Sequence, residues 1–258
     1  MKFRQIECAT LPLSFLPRKL ASNLALLLLT AGLVPFVSAQ SNRPNPSHRI
    51  SYDAAQFMPR SFQKLLPKYS VNLENGISKF PSQPYFMGQK RVELEVRLLS
   101  TLEGAVRLLR GKSRLALAIE EMGSLAEMVL LLNLPELREA DPESHVSLKN
   151  AIEINRTSFP LVLYDANELG RGLDPVKELL VDIRGRRTLL TGRYADFIST
   201  KPPLDLNLPL DPKSAAFGIL SPVYSHTVND LARLWLWIWR SAGGDMTGSP
   251  LVADSTED

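Results

Sequence analysis

The stretch from Ser113 to Pro135 constrains the fold more than any other part of the sequence. Ser113 can cap a helix running through Leu115, Ile119, Met122, Leu125 and Val129 until Pro135 stops it. That helix is apolar over most of its circumference, so other elements must surround it, and it belongs at the centre of a bundle. The segment before it carries a second pattern. Val92, Val96, Leu99, Leu102, Val106 and Leu109 recur at helical spacing, with Glu93, Arg97, Glu103, Arg107 and Arg110 on other faces, and Gly111 ends the run.

Shorter pieces fill the rest. Asp53 to Phe57 reads as a first helix stopped by Pro59, and Ser61 to Leu66 as a second. Asn75-Gly76 and the prolines at 81 and 84 read as a long irregular connection. Asp141-Pro142-Glu143-Ser144 opens a helix through Ile154, and residues 175–183 and 193–198 give two further pieces. Four prolines between Lys201 and Pro212 force an extended surface loop. A last helix spans about Lys213 to Ala242 and stops at Gly243-Gly244. No alternating strand pairs and no internal repeat occur. The expected fold is all-α, a single multi-helix bundle with long irregular loops.

The first 39 residues read as an address. Lys2, Arg4, Arg18 and Lys19 precede an apolar run from Leu24 to Val37, and Val37-Ser38-Ala39 supplies a small-residue cleavage site. The stretch from Leu20 to Ala39 is also almost long enough to be an uncleaved anchor, although Gly32 and Pro35 suit a signal's exit better. The organisation expected is a signal peptide over 1–39, a linker over 40–47, a helical domain over 48–242 and a disordered tail over 243–258. The chain is thus expected to be exported, secreted or periplasmic, with no transmembrane segment after cleavage. Beyond residue 39 the acidic and basic residues balance at 26 each. This removes the electrostatic case for nucleic acid. Cys8, the single cysteine, lies in the leader, which excludes a disulfide framework and a cysteine-built zinc site. A serine hydrolase lacks its Gly-x-Ser-x-Gly elbow, and no Gly-rich phosphate loop follows a strand.

Four places could carry chemistry. His226 and Asp230 stand at i and i+4 on the last helix and can point from one face toward one metal ion; a structural hydrogen bond is the plainer use of that spacing. Trp235, Trp237 and Trp239 nearby spread around the helix and read as core packing. His48 lies near the domain start. Glu120, Glu121, Ser124 and Glu127 sit along the central helix, where they could be its wet edge. His145 begins a helix two residues after Glu143, a capping or solvent position.

Taken in order, these residues resemble the zinc-dependent phospholipase C and S1/P1 nuclease superfamily. His48, Ala54 and Pro59 match the spacing of its first motif, Gly123 and Pro135 the ends of its central Gly-x-x-x-His-x-x-x-Asp-x-x-x-Pro-x-His motif, and His226 with Asp230 its last. The resemblance covers roughly His48 to Asp245 and implies an exported, all-helical phosphodiesterase scaffold. The ligand positions depart from the pattern. Glu127 stands for the central histidine, Leu131 for the aspartate and Leu137 for the second histidine. Asn75-Gly76 to Ser82 lacks the bridging acid, and no tryptophan opens the expected mature chain. Leucine donates nothing to zinc, so the resemblance implies one zinc ion at most, held by His48, His226 and Asp230 with His145 joining. Glu127 would then be a ligand or the base that activates water. Asp205 or Asp211 of the Pro-rich loop could refill the centre. Two functions follow: a metal-dependent phosphodiesterase acting on a phosphodiester or phospholipid, or a non-catalytic helical module of the same ancestry that binds a partner or packs in the envelope.

Overall fold

Leu115–Asn133 (α5) is the axis around which the other helices of the computed structural model are arranged. The structure describes residues 45–81, 88–111, 114–136, 142–163, 169–200 and 208–252, so the expected signal peptide lies outside the described residues. Among them the architecture is all-helical, without strands. The remaining elements are α1 (Pro46–Ala55), α2 (Arg60–Leu65, continued by a 3-10 turn over Leu66–Tyr69), α3 (Ser70–Lys79), α4 (Gly88–Arg110), α6 (Pro142–Asn155), α7 (Asp174–Thr200) and α8 (Ala215–Ser241). No described helix is long and apolar enough to cross a membrane.

The central position of α5 follows from its sequence. Met122, Leu125, Ala126 and every residue from Met128 to Leu132 are buried, because α3, α4, α7 and α8 all pack on it. Two glycines set the closest approach. A Cβ at Gly123 would lie 2.1 Å from the Leu73 carbonyl oxygen of α3, and one at Gly76 would lie 1.9 Å from the Glu120 carbonyl oxygen of α5. The backbones touch there, and Ser124 donates its hydroxyl across the crossing to the Gly76 carbonyl at 3.0 Å.

Several elements differ from the sequence reading, each for a local reason. Asn75-Gly76 lies inside α3, where the missing side chain serves the crossing rather than a turn. The two pieces over 175–183 and 193–198 are one helix, α7, whose Gly185 and Gly192 face open space and break nothing. On α4 the buried stripe is Leu94, Leu98, Leu102, Ala105 and Val106, while Val92 and Val96 are exposed. The row of leucines, with more apolar area than the valines, turns inward. Asn45, Pro46 and Ser47, read as linker, belong to the fold: Asn45 caps α1 by accepting from the Ser47 N–H at 3.0 Å, and Pro46 takes the first helical turn. The tail read as disordered from 243 is docked as far as 252. Gly243, in the left-handed region at φ +82°, ends α8, after which Leu251 is buried and Ser249 donates to the Phe57 carbonyl at 2.7 Å. Residues 253–258 lie outside the described ones.

Candidate functional site

Three buried polar clusters surround the residues singled out by sequence. The first is centred on Glu127, 1% exposed on α5. Its Oε2 accepts from the Ser47 hydroxyl at 2.6 Å and from the Asn45 side-chain amide at 3.2 Å, and its Oε1 accepts from the Lys149 ammonium of α6. The position is not a wet helix edge. One carboxylate joins the α1 cap to α6 through α5, and both of its oxygens are in use. A cation and two neutral donors offset the cost of burying this carboxylate.

The second cluster is built on Asp230 of α8, 2% exposed. Its Oδ2 accepts from Arg186 of α7 at 2.6 Å and from the Asn133 amide of α5 at 3.0 Å. Burial pushes the Asp230 carboxyl up, against the downward pull of Arg186 and Asn133. His226, one turn earlier and half-buried, feels the same guanidinium. Burial first and Arg186 second lower its pKa to about 4, so the imidazole is neutral at neutral pH. In the third cluster the Tyr224 hydroxyl donates to Asp53 of α1, and Arg49 stands 3.2 Å from the same carboxylate. Burial, then Asp53, raises the Tyr224 phenol.

The last helix therefore spends its polar residues in several directions. Ser225 donates to the Pro160 carbonyl at 2.6 Å and Asn229 to the Val162 carbonyl at 2.7 Å, pinning the non-helical segment 160–163 to the helix. The three tryptophans are packing residues, as their spacing implied. The indole N–H groups of Trp235, Trp237 and Trp239 donate to the carbonyls of Met122, Gly172 and Asp245 at 3.1, 2.8 and 2.9 Å.

The predicted ligands are thus distributed as follows. His226 and Asp230 share a helix face beside Arg186. Glu127 belongs to the separate Lys149 set, with half-buried His48 directly after its donor Ser47. His145 falls in α6, and its side chain lies outside the described residues, as does Asp205. Asp211 accepts from the Lys213 N–H at 2.9 Å and shapes the turn before α8. Among the described residues no group of three or more His, Cys, Asp or Glu side chains is placed to share a metal ion. The residues that sequence reasoning missed are the cations, Lys149 and Arg186. Neither stands in a motif with its acid: the partners are separated by 22 and 44 positions along the chain.

A surface cavity of about 580 Å³, lined by Gly104, Arg107, Leu108, Gly111 and Arg114, opens near the C-terminal end of α4 and includes none of the predicted ligands. No family model, curated protein or solved structure matches the chain.

Proposed function

We propose that this chain is an exported, non-catalytic helical module with a phospholipase C/P1 nuclease-like scaffold, in which the protein's own cations occupy the carboxylates that a metal centre would use. One observation carries the reading: both oxygens of Glu127 are held by Lys149, Ser47 and Asn45. Asp230, on Arg186 and Asn133, follows the same design. A divalent ion at either carboxylate would have to displace a partly buried cation and then sit beside it, and like charges near a low-dielectric interior repel. These contacts leave Glu127 no free oxygen to offer zinc. A module of this kind would act by presenting its outer faces to a partner or to the cell envelope.

A single-zinc phosphodiesterase remains the second reading. It is favoured by the neutral imidazole of His226, the form in which histidine binds a metal. Equilibrium dialysis of the purified chain against zinc at neutral pH, with hydrolysis of a chromogenic phosphodiester measured in parallel, separates the two. The module takes up no stoichiometric zinc and shows no metal-dependent hydrolysis. About one zinc per chain, lost on His226→Ala together with hydrolysis, overturns it.

A further inference from the structure

Arg91 of α4 is 1% exposed, and its Nε, Nη1 and Nη2 atoms are all buried without a hydrogen-bond partner. A guanidinium presents five N–H donors and never loses its charge at ordinary pH, so a buried one without acceptors is the costliest polar group a core can contain. The charges facing it make matters worse. Arg187 of α7, itself buried, is near enough to help burial lower the Arg91 pKa to about 10. Among the described residues, Glu136, just past the end of α5, is the acid that counters this repulsion. It stands 3.0 Å from Arg187 Nε, at ion-pair distance but without hydrogen-bond alignment, and its side chain is half exposed. The neighbouring acids are engaged elsewhere: Glu95 accepts from Arg184 at 2.6 Å, and Asp230 from Arg186. Among the described residues, Arg91 is thus left without an acceptor, while Arg187 has only the poorly aligned Glu136 carboxylate and the Leu132 carbonyl, to which its Nη1 donates at 3.4 Å.

We propose that Arg91 and Arg187 form a binding site for a phosphate-like oxyanion, either free phosphate or the phosphoryl group of a small ester. The fork of a guanidinium matches the geometry of tetrahedral oxyanions, and a multiply charged anion can offer acceptors to the unfilled donors of Arg91 while replacing Glu136 beside Arg187. Glu136 then acts as the resident counter-ion that the ligand displaces toward solvent. The site is separate from the Glu127 and Asp230 clusters and does not depend on whether the chain is catalytic.

Thermal unfolding of the full chain with added inorganic phosphate or glycerol phosphate tests this, with sodium chloride at matched ionic strength as control and acetate as the monocarboxylate arm. Phosphate is expected to raise the melting temperature of the wild type above the chloride control, and of Arg91→Met not at all. Calorimetric titration is expected to show Arg91→Met weakening phosphate binding at least about tenfold, the loss of a charge-assisted hydrogen-bonded pair. Should Arg91→Met fail to fold, Arg91→Lys, which keeps the charge and loses the fork, is expected to bind more weakly than wild type. Stabilisation by phosphate but not by glycerol phosphate assigns free phosphate; stabilisation by both assigns a phosphoryl group. The proposal is overturned if neither anion acts beyond chloride, if acetate acts as strongly as phosphate, or if the Arg91 variants respond as the wild type does.

Discussion

Glu127 and Lys149 make the sharpest case at the scale of single residues, because Glu127 is buried and the partly buried Lys149 balances its charge. Removing one partner leaves an uncompensated charge in the core. Lys149→Met is therefore expected to cost about 3–5 kcal/mol in urea unfolding. The double variant Glu127→Leu with Lys149→Met is expected to cost less than Lys149→Met alone, since no buried charge remains. A zinc ligand would behave differently, with Lys149→Met increasing metal uptake. His226 makes a second prediction. Its folded pKa, about 4, lies below the unfolded value of 6.5, so the unfolded chain binds the proton first as pH falls. Stability from this residue is complete above about pH 6.5 and is lost as pH falls toward 4. For a half-buried group the loss is roughly 1–2 kcal/mol after allowance for solvent screening. His226→Gln is expected to flatten that part of the pH profile, measured by chemical denaturation between pH 7 and 4. The sequence exposed half of this site. The i, i+4 spacing put His226 and Asp230 on one helix, but the guanidinium that sets the chemistry of both comes from Arg186 on another, and no local pattern marks a partner that far away.

Elements were legible where one physical signal dominated. The apolar circumference of α5 placed it at the centre, and the Gly243-Gly244 stop placed the end of α8. Reading failed where a residue type has two uses. Asn75-Gly76 is good turn chemistry, yet at Gly76 the absent Cβ admits the backbone of α5. Valines and leucines on α4 offered two adjoining stripes at the same period, and only packing against α5 chose between them. The crossing of α3 and α5 carries its own prediction. Gly123→Ala drives a methyl group into the Leu73 carbonyl, a backbone atom that cannot swing aside. The expected cost is about 2–3 kcal/mol, against the gain of a few tenths to about 1 kcal/mol that Gly→Ala gives in an unobstructed helix. Gly185→Ala on α7, which meets nothing within 4 Å, is the internal control and is expected to be neutral or stabilising in the same melts.

At the scale of the whole molecule, the two ends of the described chain lock the bundle. Asn45 and Ser47 reach Glu127 in the central helix, and the segment after α8 returns to α1 and α2. There Arg60 donates its N–H to the Thr247 carbonyl at 3.3 Å, and Ser61 donates to the Asp245 carbonyl at 3.2 Å. Leu251 is 2% exposed, and Met246 and Val252 pack on the same core. Composition alone made this segment look like a tail, since glycine, serine and acids surround its few apolar residues. Those few are enough, because the surface they cover is already built. Deleting residues 244–258 removes Met246, Leu251 and Val252 from the core and is expected to cost about 2–4 kcal/mol, the range for losing a buried aliphatic side chain and its neighbours' contacts. In a domain of this size that lowers the melting temperature by roughly 5–15 °C. Leu251→Ala alone is expected to account for most of the loss, whereas removing only residues 253–258 leaves the melting temperature unchanged. A shorter truncation that destabilises as much as the longer one would show that the lock lies beyond Val252, and Leu251 would then be a bystander.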